Sequence, residues 1–97
     1  MLTYVGLYKW TDQGIKTVKE TTKRAAAASA AAERMGGRII TLVWTQGQYD
    51  LVSVAEFPDE DTATAFAVAL AGLGNVTTET LRAFTAADMD RILSKVP

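Results

Sequence analysis

Two stretches in the middle of the chain, Arg38–Thr45 and Tyr49–Phe57, are apolar on both of their alternating faces and are separated only by Gln46-Gly47-Gln48. β-Branched and aromatic residues at this density read as strands, and the short glycine-bearing connection makes them a hairpin. Successive side chains of a strand point to opposite faces. In the first strand Ile39 and Val43 are therefore expected on one face, and Ile40, Leu42 and Trp44 on the other. In the second, Val52 and Val54 oppose Leu51, Ala55 and Phe57. Strands apolar on both sides need a sheet that is covered on both sides.

The flanking segments supply half of that cover. Leu2-Thr3-Tyr4-Val5-Gly6-Leu7-Tyr8 reads as a first strand, with Leu2, Tyr4 and Tyr8 set against Val5 and Leu7. Thr11 and Asp12 are capping residues for a helix in which Ile15, Val18, Thr22, Ala25, Ser29 and Ala32 recur at spacings of three and four. That narrow stripe of small residues suits close packing on a sheet, and Gly36-Gly37 ends the helix, glycine being at ease in the left-handed conformation beyond a helix terminus. Pro58-Asp59-Glu60-Asp61 opens a second helix with acidic residues where the helix dipole favours them, and Ala63, Phe66, Ala67, Leu70 and Leu73 form its apolar face. Gly72-Leu73-Gly74-Asn75 breaks it, and Val76 to Phe84 reads as a fourth strand. Thr85-Ala86-Ala87-Asp88 resembles a capping box before a short last helix through Met89, Ile92, Leu93 and Val96.

The order β-α-β-β-α-β, with right-handed crossovers, predicts a ferredoxin-like α+β domain spanning residues 1–97. Its four-stranded antiparallel sheet would run 4-1-3-2, with both long helices on one face. The other face is then apolar and bare, which marks an interface. The edge strand Ile39–Trp44 carries no proline, lysine or other charge to discourage pairing. Self-association is the economical cover, since most oligomers are two-fold homo-oligomers. Ile40 and Leu42 are the positions expected in that interface. The alternative is that the short C-terminal helix folds across the bare face.

The chain contains neither histidine nor cysteine. That removes Ser-His-Asp and Cys-His nucleophilic chemistry, zinc-thiolate sites and disulfides together, so no metal or cofactor is expected. Acid–base chemistry would fall to carboxylates, lysine or tyrosine. A net charge of −1 gives no basic surplus for nucleic acid, and the third strand lacks the exposed aromatics of RNA-recognition sheets. No apolar run approaches the length of a membrane span and no charged start precedes one, so neither membrane nor signal peptide is expected. A reducing cytoplasm suits such a chain.

The candidate binding residues lie at strand ends. Tyr8, Trp10 and Trp44 can line a pocket for a flat or apolar molecule, or serve as core and interface packing. Tyr49 and Asp50 follow the hairpin turn. Asp50 could act as a base or anchor with Tyr49 as donor, although capping of the turn accounts for an aspartate there without any ligand. Arg82, among the threonines of the fourth strand, could hold a carboxylate or phosphate, or form an ion pair. Lys16, Lys19, Lys23 and Arg24 read as the solvated face of the first helix.

Gly47-Gln48-Tyr49-Asp50-Leu51-Val52 resembles the signature of the GYD-domain family. Tyr4–Lys9, Gly36-Gly37 and Phe57-Pro58-Asp59 fit the same pattern, so the likeness covers nearly the whole chain. The resemblance implies a dimeric α/β barrel in which two ferredoxin-like sheets pack face to face. Related barrels include cofactor-independent monooxygenases, haem-degrading enzymes and ligand-sensing domains; the haem and many monooxygenase members rely on histidine or other particular polar sets, and the missing histidine argues against those activities. The functions left open are a homodimeric small-molecule-binding module, a cofactor-independent monooxygenase- or isomerase-like enzyme, and a purely structural or interaction protein.

Overall fold

A computed structural model describes all 97 residues, Met1–Pro97. The strands are β1 (Leu2–Trp10), β2 (Arg38–Trp44), β3 (Leu51–Phe57) and β4 (Val76–Ala83). The helices are α1 (Asp12–Lys16), α2 (Thr21–Arg34), α3 (Glu60–Gly72) and α4 (Ala86–Leu93). The sheet is antiparallel throughout with spatial order β2-β3-β1-β4, the ferredoxin-like arrangement that the element order predicts.

Helices α2 and α3 cover one face. Tyr4, Ala55 and Phe57 from the sheet meet Ala32 of α2 and Ala63 and Phe66 of α3 in the core. The rings of Phe57 and Phe66 lie 5.1 Å apart, and Tyr4 meets Phe57 edge-on at 6.4 Å. Alanine on α2 lets that helix come down onto the aromatic layer, which is what a narrow small-residue stripe can do.

The predicted single first helix is two. After α1 the backbone leaves helical geometry at Thr17 and passes through a 3-10 turn, Val18–Glu20, before α2 begins. Within α1, Gly14 packs so closely on the chain preceding β4 that a β-carbon there would collide with the Asn75 carbonyl oxygen, which ties this short helix to that segment. Thr11 caps α1 by accepting from the Gly14 N–H at 3.0 Å, and Arg24 spans the break by donating to the carbonyls of Gly14 and Thr17. The break shifts the helical phase, so the stripe facing the sheet runs through Thr21, Ala25, Ala28 and Ala32, while Ile15 and Thr22 are exposed.

The face assignment of β2 also needs correction. A bulge separates Ile39, which pairs with Ala55, from Thr41, which pairs with Val54. One extra residue inverts the alternation. Ile39, Leu42 and Trp44 therefore share the helix side with Ala55, Ser53 and Leu51, whereas Thr41 and Val43 share the open side with Val54 and Val52. Leu42 is thus not on the open face. The faces of β1 and β3 are as expected: Leu51, Ser53, Ala55 and Phe57 are all buried on the helix side.

The open face carries two rows across all four strands, Thr41-Val54-Val5-Leu81 and Val43-Val52-Leu7-Glu79. Val43 is 49% exposed and Leu81 44%. Helix α4 does not cover them. Its start carries the expected capping box between Thr85 and Asp88, but it makes no extensive contact with any other element, and Leu93 is 56% exposed. The radius of gyration of 14.5 Å exceeds the roughly 12.5 Å of a compact chain this long, consistent with a helix that stands off the body.

Candidate functional site

Toward the N-terminal end of α2 and the C-terminal end of α3 the two helices leave a cleft above the sheet. Tyr8, Leu42 and Leu51 form its floor, and Ala25 and Ala28 of α2 face Leu70 of α3 across it. Its mouth is bounded by Trp10, Arg24 and Asn75. The cavity at its centre is about 80 Å³ and opens to solvent at the mouth, so a ligand would lie partly outside it. A largely apolar lining with a few polar groups is the usual chemistry of small-ligand sites. Besides Arg24, α2 presents only the small side chains of Thr21, Ala25 and Ala28 there, opposite Leu70 and Leu73.

Several polar groups at the cleft are held by partners from other elements. The Tyr8 and Ser53 hydroxyls share a hydrogen bond of 2.9 Å below the floor. Burial pushes the Tyr8 phenol above its ordinary value, with the Ser53 bond opposing the shift, so the ring stays neutral at physiological pH. Trp44 stands at the edge of the cleft and donates its indole N–H to Thr21 Oγ1 at 3.0 Å. Asn75 Oδ1 accepts from Gln13 Nε2 at 3.0 Å, and the Asn75 carbonyl accepts from the Thr11 N–H at 3.1 Å. Arg24 spans the break before α2. Its Nη1 donates to Thr17 O and Thr17 Oγ1, at 3.1 and 2.9 Å, and its Nη2 to Gly14 O at 3.2 Å.

Of the six residues singled out from the sequence, Tyr8 and Trp10 come together in the cleft and Trp44 borders it. The other three lie elsewhere. Asp50 turns its carboxylate to the backbone: Oδ2 accepts from the Trp10 N–H at 2.8 Å, while its own N–H donates to Tyr8 O at 2.8 Å. It continues the β1–β3 ladder past the end of β3 and so positions Trp10 without lining the cleft. Tyr49 sits at the open-face end of the sheet. Its hydroxyl donates to Glu79 Oε2 at 2.8 Å, and Lys9 Nζ lies 5.4 Å from its ring. The hydrogen bond to Glu79 pushes the Tyr49 phenol up. Arg82 is at the far end of the helix side, its guanidinium 4.6 Å from the Phe84 ring and 5.6 Å from the Tyr4 ring. It donates to the carbonyls of Thr3 and Ala83. Sequence reasoning missed Arg24 and Asn75. Arg24 falls on the solvated face of an unbroken helix, and only the phase shift at the 3-10 turn carries it to the mouth. Asn75 reads as a helix breaker, and nothing in its neighbours marks it as anything more.

A four-stranded antiparallel sheet with two helices on one face and a cleft beneath them places the chain among the ferredoxin-like α+β domains. Within that class, residues 4–93 match the GYD domain, and the chain belongs to the GYD domain family. It is similar to the glutamine synthetase and cystathionine beta-lyase binding protein of Thermus thermophilus, with 33% identity over 90 residues, covering 92% of this chain and 95% of the relative. No solved structure matches the chain significantly. No helix is long and apolar enough to cross a membrane.

Proposed function

We propose that this GYD domain is a homodimeric small-molecule-binding module, working in the cytoplasm as one domain, with the cleft between sheet and helices as its binding site. The observation that carries the reading is the cleft itself: apolar on floor and walls, polar only at the mouth, and kept open by Ala25 and Ala28. Tyr8 and Trp10 are the ligand-facing aromatics; Trp44 and Asp50 act by positioning, the one through Thr21 and the other through Trp10. The homodimer rests on the open face, where Val5, Leu7, Val43, Val52, Val54 and Leu81, between Thr41 and Glu79, lack cover from the chain's own helices. A face of this kind is costly to leave in water.

Native mass spectrometry of the freshly purified full chain tests both parts in one spectrum. A dimer, or a multiple of it, carrying a small-molecule adduct is expected; a bare monomer would overturn the reading. Leu81→Asp is expected to give monomers, and Ala28→Leu is expected to remove the adduct while leaving the dimer, because it fills the cleft from a helix that does not touch the open face.

A second reading, as an interaction protein, is favoured by the name of the Thermus relative and by the exposed apolar side of α4. On that reading the chain binds glutamine synthetase or cystathionine beta-lyase. Sedimentation of the purified chain mixed with each enzyme checks it, and co-sedimentation lost on Leu93→Asp would assign the contact to α4.

A further inference from the structure

We infer that the ligand of the cleft is an amphipathic anion, a flat or aliphatic body lying on Tyr8, Trp10 and Leu42 with a carboxylate or similar oxyanion held by Arg24. The inference rests on the cleft being the binding site. It goes further by assigning the chemistry of the ligand.

Arg24 is the one charged side chain that lines the cleft, and no acidic side chain lines it. The ion pairs of the chain are Lys23–Glu20, Arg38–Glu56 and Arg91–Asp88, so Arg24 has no carboxylate partner. Its structural duty at the helix break takes both hydrogens of Nη1 and one of Nη2. A guanidinium has five donors, which leaves Nε–H and one Nη2 hydrogen uncommitted. Nε and Nη2 form the edge of the guanidinium that a carboxylate takes with two parallel hydrogen bonds. The other mouth groups have the same polarity: the Trp10 indole N–H and the Asn75 side-chain NH₂ donate to nothing in the chain. A half-buried cation beside an apolar wall, ringed by spare donors and free of acids, is complementary to an anion and repels a cationic ligand. The backbone bonds at Gly14 and Thr17 hold the guanidinium in place before a ligand arrives, so little side-chain freedom is lost on binding.

The test uses the full chain and a matched pair of probes, 1-naphthoate and 1-naphthalenemethanol, titrated by calorimetry. Naphthoate is expected to bind at least about tenfold more tightly at low salt, with the advantage shrinking as salt rises, because its extra bonds are charge-assisted. In Arg24→Met the two probes are expected to bind alike, at the affinity of the alcohol. Arg24→Lys, which keeps the charge and loses the fork, should retain only part of the preference. Because Arg24 also ties the chain together, circular dichroism accompanies both variants. If Arg24→Met does not fold, the wild-type ratio, its salt dependence and the lysine variant decide. Equal affinities in the wild type would overturn the anion inference and leave the cleft standing as a binding site. A preference that survives Arg24→Met would overturn the role of Arg24. Failure of both probes to bind would overturn the cleft reading itself, and this inference with it.

Discussion

The helix layer has a packed end and an open end, built from the same pair of helices one turn apart. At the packed end Ala32 of α2 is 0% exposed, sealed against Phe57 and Phe66. At the open end Ala28, four residues earlier, faces the cleft, and its counterpart across the gap is Leu70, four residues after Phe66. Small residues on a helix therefore have no fixed meaning. Beside a pair of aromatic rings they close a core; where leucines face them they border a cleft. The packed end holds the layer on the sheet, which lets the other end remain unfilled.

The contrast is sharpest in truncation. Phe66→Ala is expected to lower unfolding stability in urea by about 3–5 kcal/mol, the usual loss for a buried phenylalanine. Leu70→Ala should lose less than half of that, since its side chain already borders empty space; equal losses would erase the distinction between the two ends. Enlargement gives a smaller effect along the same axis. Ala32→Leu should cost about 1–3 kcal/mol through overpacking, whereas Ala28→Leu, entering existing space, should change stability by less than about 1 kcal/mol.

A third expectation has an unfamiliar sign. The Tyr4 hydroxyl is buried at the packed end with no hydrogen-bond partner. Burial pushes its pKa up, Glu60 and Asp59 add to the shift, and Arg82 opposes it. Tyr4→Phe removes an unsatisfied hydroxyl while keeping the ring, so stability should stay level or rise by up to about 1 kcal/mol. A clear loss would mean that the hydroxyl has a partner at the packed end after all.

The smallest effect is acid sensitivity. The backbone N–H of Thr62, donating to Asp59 Oδ1 at 2.7 Å, holds that carboxyl below its ordinary value of 3.8 at the start of α3, where the packed end begins. The Thr85 N–H lowers Asp88 in the same way at the start of α4. A depressed carboxylate contributes stability that is complete above the unfolded-state pKa and is lost as pH falls through the folded one. Urea midpoints should therefore be flat above about pH 5 and fall below about pH 4, and Asp59→Asn should flatten part of that fall. An unchanged profile in Asp59→Asn would remove α3's cap from the account.

Much of the fold was legible in the chain because it is written in local patterns. The hairpin follows from Gln46-Gly47-Gln48 between two apolar strands, the start of α3 from Asp59 and that of α4 from Thr85 and Asp88, and the strand order from the β-α-β-β-α-β sequence of elements. The site was legible only in its aromatics. Tyr8 and Trp10 stand out as large residues at a strand end. Tyr49, Asp50 and Arg82 stand out equally, yet their side chains are spent on Glu79, on the Trp10 backbone and on the carbonyls of Thr3 and Ala83.

The sequence by itself determined the elements, their order and the apolar character of both sheet faces, since each depends on residues a few positions apart. The tertiary structure alone decided three things: the bulge after Ile39 that moves Leu42 to the helix side, the break after α1 that brings Arg24 to the mouth, and the unfilled space beside Ala28. The first two turn on residues far apart in the chain: Ala55 and Val54 pair with β2, and Asn75 packs on Gly14 beside the break; the third lies between Ala28 and Leu70, which come from different helices. Local periodicity carries no information about which distant residue will arrive, or how far it will reach.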